Sequence, residues 1–450
     1  MENSLHNIVF SFFISFTILL TSFLFFLTFF SPSLFFYHLP PLSFQNKSNT
    51  NIDIHLNNGG GECSSSTPTN TICCDQTSYH SDICFMHGDI STYPPSSSIT
   101  LHSYSNISLK QNNTKIQPYT RKWEMYLKEK IDDLQLKMVG SSDPKLQCDV
   151  LHDVPALFFS AGGYTGNVFH AFNNGILPIY ITSQHLNGSV IFVVLQYSEW
   201  WYTRYHEILS KLSNYPPIIF SKDELRTHCF HEAILGLRFH GTLAIDSTQM
   251  DDNKTIGDFH QLLDNAYRHR VIRYMHTTTN GKPKLVIISR NASRAIENEA
   301  ELVQLSEKIG FHVEVIILES MELGAIYYAL NSCNVIVGVH GAGLTHILFM
   351  RTGSILVQIV PLGLDQLAKT CFGEPAKKMG IKYEEYKILP KESSLYKKYK
   401  AYDPILRDPD SVISKGWKVT KAIYLQGQNV SLDLHRIRVP LVKAFQHVVS

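Results

Sequence analysis

Two clusters in this 450-residue chain have the residue types and spacing to hold an anion. The first is His340, Gly341, Ala342, Gly343, Leu344 and Thr345, which follow the apolar run Asn334–Val339 and open a second apolar segment. A strand that turns into a helix at glycines leaves backbone N–H groups facing outward, a seat for phosphate. Missing Cβ atoms let a ligand approach the backbone closely, and His340 adds a donor or a base. The second cluster is Ser289, Arg290 and Arg294, at the end of the run Leu285–Arg290. Two guanidinium forks at a strand end can clamp a diphosphate, because each presents paired donors. A third loop, Ser160 to Asn167, contains Gly162, Gly163, Tyr164 and Gly166 and leads into Phe169-His170. Its glycines suit close approach of a ligand or of another part of the chain.

The elements that must carry these loops are legible in the hydrophobic pattern. Leu285–Arg290, His312–Leu318, Asn334–Val339 and Ser354–Val360 are apolar and β-branched, with helical patterns at Glu297–Ile309, Glu322–Leu330 and Leu344–Phe349 between them. Strands alternating with helices predict a buried parallel sheet, with ligands at its carboxyl ends. On such a sheet the Arg290 and His340 loops share one edge. Upstream, strands are expected at Ala156–Ser160, Val190–Leu195, Pro217–Phe220 and Ile234–Phe239, with helices over Asn167–Gly175 and Trp200–Leu212. Trp123, Leu127, Ile131, Leu134 and Met138 fall on one face at helical spacing.

Composition narrows the class. A formal net charge of +1 gives no field for nucleic acid. Residues 1–7 read as a cytosolic tail, and Ile8–Phe30 is uncharged and long enough to cross a hydrocarbon core of ~30 Å. Residues 31–115 read as a stem, rich in Ser, Asn, Thr and Pro and mostly disordered. Residues 116–280 and 281–450 then form two α/β domains, joined near Asn280-Gly281-Lys282-Pro283. Asn46, Asn106, Asn112, Asn187, Asn253, Asn291 and Asn429 begin N-x-S/T triplets. With eight cysteines, they predict a lumenal body. Asp408-Pro409-Asp410 has the spacing of a metal-holding D-x-D but reads as chance, and no Walker A loop or H-E-x-x-H is present.

These segments together resemble glycosyltransferase family 61 of plants, the group of xylan arabinosyl- and xylosyltransferases and relatives of protein O-mannose N-acetylglucosaminyltransferase. The resemblance covers roughly residues 72–450 and rests on Gly162–His170, Glu199-Trp200-Trp201, Ile288-Ser289-Arg290 with Arg294, and Gly338–Thr345. Asp365 to Gly380 and Gly416-Trp417 also fit. It implies a single-pass type II Golgi membrane protein with two Rossmann-like domains facing a cleft, the GT-B arrangement. It implies a UDP-sugar donor held by Ser289, Arg290, Arg294 and His340 to Thr345, inversion at the anomeric carbon, and no essential metal. The acceptor side would use Gly162, Gly163, Tyr164, Asn167, Trp200 and Trp201, with His170 or Glu199 as the base. The expected reaction is pentosyl transfer to xylan or a related wall polysaccharide. The rivals are a silent nucleotide-sugar- or glycan-binding member and a transferase acting on glycoproteins. One departure bears on this: where the family carries acids, this chain has Ala171 and Asn174.

Overall fold

A computed structural model describes residues 63, 68–103, 114–140, 147–222, 224–274 and 281–450. The membrane-spanning expectation for Ile8–Phe30 and the cytosolic tail lie outside these residues, and no described helix is long and apolar enough to cross a membrane.

The first sheet has ten strands: β1 (Thr71–Asp75), β2 (Ile83–Tyr93), β3 (Ser98–His102), β4 (Thr114–Ile116), β5 (Leu134–Val139), β6 (Val150–His152), β7 (Ala156–Ser160), β8 (Ile191–Leu195), β9 (Ile218–Phe220) and β10 (His228–Gly236). Its main order is β4-β5-β3-β2-β10-β7-β8-β9, with β1 on β2 and β6 on β10. The segment β10-β7-β8-β9 is parallel, while β2 joins β10 antiparallel. The second sheet is fully parallel, in the order β12-β11-β13-β14-β15. Its strands are β11 (Lys284–Ile288), β12 (His312–Ile316), β13 (Val335–Val339), β14 (Ile355–Val360) and β15 (Lys382–Lys387).

The expected pair of Rossmann-like domains facing a cleft is therefore corrected to an α/β fold with one mixed and one parallel sheet. Two findings overturn it. Strands from residues 71–102, which composition assigned to the stem, form one wing of the first sheet. The space between the sheets is filled by helices sharing one core, so it is not an open cleft. These helices are α1 (168–183), α2 (Glu199–Leu209), α3 (Ile256–Tyr274) and α5 (Leu323–Asn331), with the 3-10 segment Ala342–Phe349; α4 (Glu299–Ile309) lies outside this layer. Leu157, Phe159 and Phe192 of the first sheet and Val286, Ile288 and Ile336 of the second belong to that core. Alternate residues such as Leu285, Ile287, Val335 and Val337 pack on the far face, against α4 and the C-terminal helix α6 (Leu434–Val449). A strand buried on both faces has no polar side to show, which accounts for its continuous apolar reading.

The expected helix through Trp123–Met138 is a single turn, Met125–Lys128, followed by β5. Leu134, Leu136 and Met138 alternate with Gln135 and Lys137, the period of a strand, and the sheet selects it. The expected helix at Leu344–Phe349 is 3-10 throughout. Three disulfides form, Cys63–Cys73, Cys74–Cys84 and Cys148–Cys229, while Cys333 and Cys371 are free.

Candidate active site

β11 and β13 are neighbours, but the chain leaves β11 for β12 on one side and reaches β13 on the other. This reversal opens a crevice at the carboxyl ends of the two strands. The loops after them supply its walls.

Arg290 is fixed by Nε donating to the Ser293 carbonyl (2.9 Å). Arg294 is fixed by Nη1 donating to the His340 carbonyl (2.9 Å), and its own N–H donates to Gln428 O (2.7 Å). Both guanidiniums point at Gly341. A Cβ there would lie 2.8 Å from Arg290 Nη1 and 3.1 Å from Arg294 Nη1. Among the described residues neither arginine forms an ion pair. Arg294 Nε is buried without a partner among the described residues. Burial and the neighbouring Arg290 hold Arg294 down at about 10, and burial lowers Arg290 as well. Two partly desolvated like charges side by side are costly unless an anion joins them. Gly341 is extended at φ 163°, so the space it leaves, not its backbone angle, is what the site uses. Ala342 and Gly343 open the 3-10 segment, whose first N–H groups have no intrahelical acceptor.

His340 is buried beneath this crevice. The Tyr383 hydroxyl donates to Gln358 Oε1 (3.0 Å), and Gln358 Nε2 donates to His340 Nδ1 (3.0 Å). That relay makes Nδ1 an acceptor and leaves the proton on Nε2. Burial, Arg294 and Arg290 push His340 down to about 3, so the ring is neutral at neutral pH. His340 is thus a hydrogen-bond donor at the site, and the role of base falls elsewhere. Ser289 is buried and its hydroxyl donates to Glu299 Oε1 (3.1 Å). Leu344 and Thr345 are buried behind the turn, and the Thr345 hydroxyl has no partner among the described residues.

The first turn of α1 packs on the 342–349 segment, bringing His170 to the same region. The Phe372 ring lies 5.8 Å from Phe169 and 5.5 Å from His340, joining the two walls. Asn167 caps α1 by accepting from the Phe169 N–H (3.0 Å). His170 Nδ1 lies 2.8 Å from Asn174 Oδ1 and must donate to it, which leaves a lone pair on Nε2. Burial lowers the His170 pKa, with Arg121 acting in the same sense and the Asn174 hydrogen bond opposing them. Asn174 sits in a π-helical stretch, Phe172–Ile176, whose irregular carbonyl accepts from Thr120 Oγ1 (3.0 Å). Such stretches recur where a side chain must be re-aimed. Gly163 has φ 67° and faces the Tyr119 ring, and the Tyr119 hydroxyl accepts from the Tyr164 N–H (3.3 Å). The Tyr164 ring packs 4.8 Å from His170. Gly162 abuts Gln196, in the loop after the neighbouring strand β8.

The structure does not bring every expected residue here. Trp201 is buried in the shared core with Tyr205, on the inward stripe of α2. Trp200 is exposed, and Glu199 accepts from the Tyr197 hydroxyl (2.8 Å) and Thr203. No described contact joins Glu199 to His170 or to the arginines. Asp408 caps a short helix, bonding to the Ser411 N–H, with Pro409 at its first position, so the Asp408–Asp410 spacing is a capping pattern. Among the described residues no group of three or more His, Cys, Asp or Glu could hold a metal ion. Sequence reasoning did not single out Arg121, Phe372, Gln358 or Tyr383; of these only Phe372 falls within a segment that it matched to the family, Asp365 to Gly380.

A family model for glycosyltransferase 61 matches residues 168–357, spanning both α1 and the arginine and His340 loops. The xylan glycosyltransferase MUCI21 of Arabidopsis thaliana is 50% identical over 395 residues, which is 83% of this chain and 79% of that protein. The alpha-1,3-arabinosyltransferase XAT3 of Oryza sativa subsp. japonica is 36% identical over 381 residues, covering 83% of this chain and 65% of its own length. The beta-1,2-xylosyltransferase XYXT1 of the same plant is 36% identical over 389 residues, covering 82% and 83%. With that extent of identity, the chain belongs to the glycosyltransferase 61 family.

Proposed function

We propose that this glycosyltransferase moves a pentose, xylose or arabinofuranose, from a UDP-sugar to xylan or a related wall polysaccharide, with inversion. The relatives named as a xylan glycosyltransferase, an arabinosyltransferase and a xylosyltransferase support the sugar and acceptor class. The observation that carries the donor reading is the convergence of Arg290 and Arg294 on Gly341, with no ion pair to either among the described residues. In the reaction, an acceptor hydroxyl gives its proton to His170 Nε2 while its oxygen bonds to the anomeric carbon. The bond from that carbon to the diphosphate breaks, and its electron pair leaves on the phosphate. The two guanidiniums and the N–H groups of Gly341, Ala342 and Gly343 hold that charge. His340 Nε2–H adds a neutral donor. Since the arginines neutralise the leaving group, transfer persists in excess chelator.

The lumen of the Golgi is the proposed compartment. Three disulfides support it, as do the exposed sequon asparagines Asn187, Asn253 and Asn291. Asn429 is only half-buried, its side-chain oxygen accepting from the Ala295 N–H (3.2 Å), while Asn106 and Asn112 lie outside the described residues.

The test is transfer by the full chain purified from a secretory host. UDP-xylose, UDP-arabinofuranose and UDP-N-acetylglucosamine are offered with xylan oligosaccharides, and product masses are read. A pentose-sized gain is expected. A gain only from UDP-N-acetylglucosamine, or UDP binding with no gain from any donor, overturns the pentosyl reading.

A further inference from the structure

We propose a second carbohydrate subsite on the first sheet, away from the reacting sugar, that holds an unsubstituted stretch of the acceptor chain; it rests on the polysaccharide-acceptor reading above. An open cavity of about 540 Å³ lies beside β4 and the loop after β1, with Tyr79, Trp123 and Gln117 in its wall. The Tyr79 and Trp123 rings stack 5.0 Å apart at 14°. Tyr79 is nevertheless 57% exposed, so the solvent-facing area is the side turned away from Trp123. A flat aromatic surface backed by a second ring suits the C–H face of a pyranose, an apolar body with polar edges.

The charges around it cancel. Lys122 Nζ meets Asp82 Oδ1 at 2.7 Å and Lys115 Nζ meets Asp133 Oδ2 at 3.3 Å, two cations against two carboxylates. Gln117 Nε2 donates to Asp133 Oδ1 and to the Ile131 carbonyl, both at 3.0 Å, fixing the wall. Such a cavity offers many hydrogen bonds to hydroxyls and no net attraction for an ion, so its occupant is a neutral glycan. It is also joined to the reaction centre. The Arg121 guanidinium lies 4.9 Å from the Trp123 ring and 5.8 Å from the Tyr164 ring, and Tyr164 is the residue packed on His170. One extended chain can therefore lie on Tyr79 and present a later sugar to His170.

The experiment compares the full chain with Tyr79→Ala and Tyr79→Phe, across xylan oligosaccharides of two to ten sugars. Both kcat/KM for transfer and binding by calorimetry are read. Tyr79→Ala should cost roughly fivefold to tenfold in kcat/KM and in affinity for the long oligosaccharides, and far less for the disaccharide. Tyr79→Phe keeps the ring and should recover most of the loss. An equal effect at all lengths, or none at any, overturns the subsite. A wild-type chain that binds long oligosaccharides through Tyr79 but transfers nothing keeps the subsite and sinks the transferase reading instead. Since Tyr79 is largely exposed, its loss does not threaten the fold.

Discussion

His170 Nδ1 and Asn174 Oδ1 stand 2.8 Å apart across the start of a π-helical stretch, and this bond leaves the lone pair of His170 on Nε2. An amide oxygen does this as well as a carboxylate, which is how the chain can dispense with an acid at 174. What it gives up is charge. The present His170 pKa is lowered by burial, so the ring stays a free base below its ordinary range. Asn174→Asp should raise that pKa by about one unit and move the acidic limb of the pH–rate profile upward by the same amount. His170→Ala should cost roughly a hundredfold or more in kcat. An acidic limb that stays put in Asn174→Asp removes His170 from the role of base.

The arginine pair makes a separable prediction. Arg290→Ala deletes one of two like charges and leaves the fold intact, so the urea midpoint should hold. UDP should bind roughly 10- to 100-fold more weakly, as befits the loss of charge-assisted bonds. Gly341→Ala keeps both arginines but puts a methyl 2.8 Å from Arg290 Nη1, forcing the forks apart without backbone strain. Weakened UDP binding in both variants is the expected calorimetric result. Unchanged affinity in Arg290→Ala would sink the diphosphate clamp.

Two buried histidines set a pH dependence of stability. Burial leads in pushing His340 to about 3 and His346 to about 4, while an unfolded histidine titrates near 6.5. Above that value both states are neutral at these rings. As pH falls through it, the unfolded chain takes up protons that the folded one refuses. Stability should therefore fall from about pH 6.5 toward each folded pKa, by up to about 1.4 kcal/mol per pH unit for each ring. Urea midpoints between pH 7 and 5 will show this slope, and His346→Gln should flatten it. A slope identical to wild type in that variant contradicts the assignment.

Cys148–Cys229 links the residues preceding β6 to the strand β10, across a sequence separation of 81. Closing so long a loop in the unfolded chain is worth about 4 kcal/mol. Cys148→Ser should lower the unfolding midpoint accordingly. Peptide mapping of non-reduced protein should recover Cys148 joined to Cys229, and a map pairing either with Cys371 rejects this connectivity.

Sequence by itself determined four of the five strands of the second sheet and the order of their loops, but not the edge strand β15. Strands such as Val335–Val339 are buried on both faces, so their apolar runs are uninterrupted and locally legible, and the Arg290 and His340 loops must follow strands that point the same way. The helix α2 was equally readable, but not which of Trp200 and Trp201 it would bury. Only tertiary structure decided the rest. β2 finds its partner β10 with Phe85 opposite Ile234, a pairing between strands far apart in the chain. Residues that look like a polar stem thereby become sheet, because backbone hydrogen bonds and one buried face outweigh local composition. The same long-range packing fills the expected cleft with helices, places Arg121 beside His170, and sets the His340 tautomer through Gln358, whereas Asn174 sets that of His170 from four residues along the chain. A tautomer is fixed by which neighbour donates and which accepts, and for His340 that neighbour lies on an adjacent strand.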